Sequence, residues 1–439
     1  MEKPRNSAAG TMRTRAGRSS RRGCDPRHAT VTRLAVVGWK RRLVPPPGAG
    51  EDRPVSSVAA PPPLPILIVA AFLSGAGMRI ADPLLAAVAS DFATTISAAA
   101  ATVAGFTFAY GIAQLVLGPL GDRFGKLRLI AVSMGCYGAA TVASAAAPSL
   151  EALILLRALA GAFAGGLIPV AIALIGDTTP YADRQATLGR FMTGMVFANL
   201  TAAPLAGVAG DVVGWRPVFA MLGLLALAAA LPLWRAARAM GPPVAHGRGS
   251  ALSRLLAVWS RPAARRLFLL ASVEGAVAFG APPFLGAFLV EGYGFSYSRA
   301  GLVLGAAGLG ALLYTRIAGR LVRRFGEKGL LAGGGIGLVV WLGAIAAAPP
   351  APWLLPISFL GGLSLVCFHG VLQARGSEIA PESRATGMAS FAFSLFVGQA
   401  IGAAIAGLAL PSLGFQGLFA AATVVMAVLA VAARLSPAK

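Results

Sequence analysis

Between Leu64 and Leu435 the sequence is a succession of apolar stretches, each about 20 residues long, parted by short polar connections. A helix rises about 1.5 Å per residue and the hydrocarbon core of a bilayer is about 30 Å thick, so each stretch has the length of one membrane crossing. The region has room for about twelve of them. With 56% hydrophobic and 12% charged residues, the chain carries more apolar surface than a water-soluble domain can bury, and a bilayer must solvate the rest. Uninterrupted runs such as Ile66 to Ala71 lack the in-out alternation of a lipid-facing strand, which argues against a barrel. Abundant Gly and Ala allow helix backbones to approach closely, the packing on which lipid-embedded helices rely. The expected fold class is an all-α polytopic membrane protein.

The expected spans are 64–86, 98–119, 128–147, 150–172, 187–209 and 217–237, then 266–290, 297–317, 329–348, 353–374, 386–409 and 415–434. Lys and Arg fall asymmetrically between them. One side receives Arg123, Lys126 and Arg128, the stretch from Arg235 to Arg266, and Arg316 to Lys328; the other holds Asp91, Glu151, Asp211 and Glu291, with only isolated Arg216 and Arg299. The positive-inside rule therefore predicts both termini in the cytoplasm, which requires an even number of spans. Residues 1–63, rich in Arg, Gly, Pro and Ser, read as a disordered basic extension. Their composition also fits an organellar transit peptide, against which Glu51, Asp52 and the run Pro45 to Pro47 count. Residues 64–237 and 266–439 form two six-helix bundles in this reading, with 238–265 as a cytoplasmic linker. The formal net charge of +22 lies mostly in tails and loops, so no nucleic-acid partner is expected. The strong Arg and Ala bias points to a bacterial inner membrane, and a monomer is expected.

Several features recur at an offset of 200 or 201 residues. Gly118 matches Gly319, each opening a basic loop. Asp177 to Pro180 with Arg184 matches Glu378 to Pro381 with Arg384, and Gly214 with Phe219 matches Gly414 with Phe419. Agreement in one register along two hydrophobic halves points to duplication of a six-span unit, a known transporter plan whose halves rock about a central site.

From Leu64 onward the chain resembles the major facilitator superfamily. The stretch Gly118-Pro-Leu-Gly-Asp122-Arg123-Phe-Gly125-Lys126-Leu-Arg128 is similar to that family's signature loop between its second and third helices. The resemblance implies the major facilitator fold, with twelve helices in two pseudo-symmetric bundles, and makes Asp122 and Arg123 conformational elements rather than ligands. A basic loop that merely sets topology is the plain alternative. The second copy is degraded, with Arg323 at the position matching Asp122. Leu155-Leu-Arg157 with Gly161 resembles a fourth-helix motif linked to proton transfer. Pro204 and Gly207 fit the family's fifth-helix antiporter motif, from which Asn199, Ala203 and Val208 depart.

The remaining ionisable residues within spans fall on few helices: Arg79 and Asp82 on the first, Arg157 on the fourth, Glu274 on the seventh and His369 on the tenth. The resemblance implies that these helices line a central cavity. Arg79 and Asp82, three apart, are able to pair, as a structural ion pair or in a substrate or proton role. Glu274 lies near mid-span with no local cation. A carboxylate there is expensive unless it takes a proton or finds a partner, so it is the candidate proton carrier, with a simple polar packing contact as the plain alternative. His369 has no companion ligand, and Cys24, Cys136 and Cys367 are too scattered for a metal or disulfide framework. Gln114, Asn199 and Gln399 line the path or bond between helices. With no phosphate-binding loop, catalytic triad or metal cluster, a cofactor-free carrier driven by the proton gradient is expected. Its substrates would be small organic or amphiphilic compounds, exported by alternating access. A symporter or uniporter for a metabolite, and a membrane-embedded receptor or scaffold, are the other readings.

Overall fold

The computed structural model describes residues 63–239 and 251–436. The extension read at 1–63 lies outside the described residues, apart from Pro63. In the first half α1 (Leu64–Arg79) is followed by α2 (Leu85–Asp91), α3 (Ile96–Ala99), α4 (Ala101–Phe124), α5 (Lys126–Ala145), α6 (Leu150–Ala164), α7 (Leu167–Thr178), α8 (Tyr181–Val213) and α9 (Trp215–Ala239). In the second, α10 (Ala251–Trp259) and α11 (Pro262–Glu274) lead through a π-helical turn (Gly275–Phe279) into α12 (Ala281–Glu291), α13 (Tyr297–Ala346), α14 (Leu354–Glu378) and α15 (Arg384–Leu435). Among the described residues there is no strand.

Among the described residues nine helical segments, some built of two consecutive helices, are long and apolar enough to cross a membrane. Two of them, α13 and α15, run to 50 and 52 residues and cannot be single straight crossings. Each turns at a glycine with φ 63°, Gly326 in α13 and Gly414 in α15. Gly310 and Gly337, on opposite sides of Gly326, both pack on α14 between Phe359 and Ser364. In a straight helix they would stand about 40 Å apart, so the chain reverses between them. The same holds for α15, where Gly376 of α14 meets Phe391 while the neighbouring Arg375 bonds the Ala433 carbonyl. Dividing both helices at these glycines, and taking α1 with α2 as one crossing, yields the expected twelve. The repeat is written into the backbone as well. Gly125 (φ 93°) and Gly214 (φ 80°) stand at the positions matching Gly326 and Gly414, where a side chain would be strained.

Several ends differ from the sequence reading. Helices α4, α8 and α14 continue well past their expected spans, because a helix keeps its backbone bonds after leaving the apolar layer and the charges there are solvated. The described part of the stretch read as linker includes the helix α10. Trp259 donates from Nε1 to Ser390 Oγ at 3.1 Å and Arg261 donates to the Ile379 carbonyl at 3.1 Å, so this end of the linker is tied to the second half.

The two halves meet along a seam of glycines at the end opposite the basic loops. Gly207 lies on the Tyr297 carbonyl, Gly301 on that of Ala203 and Gly286 on that of Asp82. Without a hydrophobic force to join helices in lipid, such backbone approach supplies the attraction. Asp211, at the end of α8, completes the seam by accepting from the Tyr297 and Ser298 amides at 2.9 and 2.8 Å, a helix cap given to one half by the other. Asp211→Ala is expected to weaken closure by about 1 kcal/mol, read as roughly fivefold faster labelling of a cysteine placed at Ala203 by a membrane-impermeant thiol reagent. An unchanged rate would show the cap to be idle. Gly161→Val, whose side chain would run into the Phe106 main chain, is expected to destabilise the fold by about 1–3 kcal/mol. Gly176→Ala, which meets nothing within 4 Å, leaves thermal unfolding unchanged or slightly raised.

Candidate functional site

Three of the crossings are interrupted inside the membrane. The chain leaves helix between Ile80 and Leu84, again at Gly165 and Gly166, and loosens to a π-turn at Gly275–Phe279. Backbone carbonyls freed in lipid must find donors, and the polar side chains of the spans are placed to supply them. Arg157 donates to the Gly77 carbonyl at 2.9 Å, Gln114 to Gly165 at 2.7 Å and Gln399 to Phe279 at 3.1 Å. Ser74 reaches the Ala164 carbonyl and Tyr137 that of Leu73. Gln114 and Gln399 therefore bond between helices.

Arg157 is the largest fully buried side chain of the described residues. Its guanidinium lies 4.1 Å from the centre of the Phe106 ring and 5.3 Å from that of Phe219. The ring faces replace part of the hydration that burial removes. It sits at the C-terminal end of α1, where the helix dipole favours a cation. Close by, Arg79 holds Asp82 at 3.5 Å and donates from Nε to Asn199 Oδ1 at 3.1 Å, tying α1 to α8. The expected pairing of Arg79 with Asp82 is thus present, but α1 ends at Arg79, so Asp82 stands in the turn beyond it rather than on the helix. One Asp82 oxygen and two Arg157 nitrogens have no hydrogen-bond partner.

The second cluster lies in the other half. Glu274, wholly buried at the end of α11, meets His369 of α14 at 3.2 Å through Oε2 and Nδ1. Its other oxygen has no partner. His369 remains partly exposed and is flanked edge-on by Phe279, with Phe391 at 5.8 Å. The π-turn begins at the residue after Glu274, which lets Gly275 lie on the Leu395 carbonyl and brings α11 hard against α15.

At the basic end, Lys126 holds both Asp122 and Asp177 at 2.7 Å, fastening the start of α5 to the end of α7. Arg123 packs over the Phe124 ring, Arg128 is exposed and nothing lies within 4 Å of a side chain built at Gly118. Pro204 fills the space beside Gly305, and Gly207 belongs to the seam. The second-half copy, read as degraded, makes a tie of its own from a different position on the partner helix. Glu327, matching Lys126, pairs with Arg375 of α14 at 2.6 Å. Sequence reasoning missed Arg375, Phe106, Phe219 and Tyr137. Glu327 in place of Lys126 is visible at the repeat offset, but Arg375 matches Leu174 and gives no such signal, nor do aromatic residues in apolar spans.

The family model of the Major Facilitator Superfamily matches residues 67–395 and 267–438. A putative uncharacterized transporter of Escherichia coli, YgaY, is 34% identical over 174 residues, 39% of this chain and only 43% of that relative. Over a longer reach, the probable transporter SCO4007 of Streptomyces coelicolor is 31% identical across 391 residues, 82% of this chain and 84% of its own. Among solved structures, a bacterial homologue of the human lysosomal transporter Spinster, in an inward-facing and occupied conformation, has the same fold with a TM-score of 0.69 at 18% identity, covering 85% of this chain and 96% of that one. The crossings paired by a repeat, the glycine seam between the halves and these matches converge: this multi-pass membrane protein belongs to the Major Facilitator Superfamily.

Proposed function

We propose that the chain is a secondary carrier that exchanges protons for small organic or amphiphilic solutes by alternating access, with Glu274 as the proton carrier and His369 as its partner. The observation that carries this reading is the buried Glu274–His369 pair, one carboxylate oxygen bonded and the other free. A carboxylate sealed from water with a single partner is stable as the neutral acid beside a neutral imidazole or as an ion pair with a protonated one; both states hold the same shared proton, and its release from the imidazole to the passage and its later return are the handling of one proton. His369, partly exposed, links the sealed carboxyl to the passage. Solute binding that displaces the imidazole changes the cost of the charge on Glu274, which couples the two fluxes.

Closure at the glycine seam and open space between α8 and α13 at the opposite end support alternation between two accesses. Relatives named as transporters support carriage itself. Export is favoured by Pro204 and Gly207, which fit the antiporter motif and sit in that seam. In this reading the basic end faces the cytoplasm of a bacterial inner membrane with both termini, the carrier works as a monomer, and the proton gradient replaces any cofactor.

In proteoliposomes with an imposed pH gradient, addition of a transported cationic dye is expected to release protons. Glu274→Gln, which keeps the shape and loses the titrating oxygen, should abolish that release while dye binding stays within about threefold of wild type, since only the coupled step needs the charge change. Undiminished proton release from the variant would reject Glu274 as carrier. His369→Gln is expected to retain binding and to slow coupled exchange by at least about tenfold, as a general acid–base partner contributes at least that much.

A further inference from the structure

Helices α8 and α13 touch for only part of their length. From Asp211 to Asn199 they are pressed together through Gly301, Gly305 and Gly308, and beyond Leu200 they part. The gap is a cavity of about 420 Å³, walled by Met192, Val196, Phe197 and Leu200 on one side and Leu312 on the other. Phe197 is 57% and Met192 37% exposed, so the wall continues onto the lipid-facing surface and the gap opens sideways. Arg316 is the only charged residue of its lining. It stands two turns below Gly308, about 12 Å further along the helix, and makes no ion pair with any described residue. The two threonines of the lining, Thr193 and Thr315, direct their hydroxyl protons to the carbonyls of Arg190 and Leu312, which leaves Arg316 as the available donor.

We propose that this lateral slot binds a single-chain anionic amphiphile, entering from the leaflet at the basic end, with its alkyl chain along Val196, Phe197 and Leu200 and its acidic head group on Arg316. The inference deepens the carrier reading above and rests on it for its biological meaning. An unpaired guanidinium at the end of an apolar wall is matched by a ligand with one charge and one apolar tail, and the guanidinium takes a carboxylate or phosphate through two parallel hydrogen bonds. The volume lies in the range of small-molecule sites and suits one chain better than a two-chain phospholipid. The sideways opening supplies such a ligand from the bilayer, where it is concentrated, without passage through water. The seam above Leu200 stops the chain from leaving at the far end in this conformation.

The test uses the full chain in phosphatidylcholine nanodiscs, with a long-chain carboxylic acid bearing a diazirine at mid-chain and the corresponding alcohol as probes. Cross-links of the acid are expected on residues 189–200 and 312–316. Arg316→Gln should lower acid labelling about tenfold, the usual effect of losing a charge-assisted hydrogen bond, while alcohol labelling is the same in both proteins. Arg316→Lys should recover most of the acid labelling. Val196→Trp, which fills the slot, should lower both, with gel-filtration profiles confirming that each variant is folded. Equal acid labelling of Arg316→Gln and wild type, cross-links spread evenly over lipid-facing helices such as α9, or equal labelling by a two-chain diazirine phospholipid would overturn the proposal. Labelling needs no gradient and no flux, so its failure leaves the Glu274 reading standing, and failure of the Glu274 test leaves the slot intact.

Discussion

A backbone carbonyl released inside a bilayer has no water to turn to, and the rest of this structure is arranged around that constraint. Continuous helices would avoid the problem, yet three crossings are broken where Arg79 is followed by a turn, where Gly165 and Gly166 divide α6 from α7, and where a π-turn follows Glu274. Each break is tolerated because a side chain from another helix bonds one of the freed carbonyls: Arg157, Gln114 and Gln399 respectively. The breaks and the donors are therefore one design. Loss of Arg157 would strip a donor from α1 and also leave the Phe106 and Phe219 faces without the cation they enclose.

The same constraint separates the two buried charge clusters by role. In the first half the cations have fixed duties toward carbonyls and amides, with Asp82 held by Arg79 and Asn199 by the same guanidinium. In the second half Glu274 has only His369 and one vacant oxygen. Asp82 likewise keeps one oxygen without a hydrogen-bond partner, but its neighbour Arg79 is a permanent cation, whereas Glu274 faces an imidazole. The duplicated halves thus differ in the partner each gives its buried carboxylate, a guanidinium in one and an imidazole in the other, on the same six-helix frame.

Much of the frame is legible in the sequence because it follows from length and period. Apolar stretches fix the crossings, and the shared register of Gly125 with Gly326 and Gly214 with Gly414 fixes the repeat, since a positive φ excludes most side chains. Polar residues are harder. Gln114 and Gln399, read along one helix, leave open whether they line the path or bond between helices, because nothing in the sequence tells that Gly165 and Phe279 present free carbonyls to them. Asp82 reads as helical because the pattern of Ile80 and Ala81 is apolar, although the chain has already left helix there. Asp211 reads as a mark of topology, and only the approach of α13 turns it into a cap. What the sequence conceals is in each case a partner from a distant helix.

Rigid halves joined at a narrow seam have consequences for motion. Lys126 with Asp177 and Glu327 with Arg375 each close a loop onto a helix of the same half, so neither tie crosses between the bundles. The contact between the halves, in contrast, consists of glycines on carbonyls and one acidic cap along α8 and α13, and of Gly111 against Phe396, whose ring lies 4.6 Å from that of Tyr110, along α4 and α15. Bundles tied by ion pairs within and meeting through helix packing between are suited to rocking as units. The gap that widens from Leu200 toward Arg316 is then the necessary complement of a seam that is closed from Asn199 to Asp211: with helices of fixed length, closure at one end of α8 and α13 opens the other.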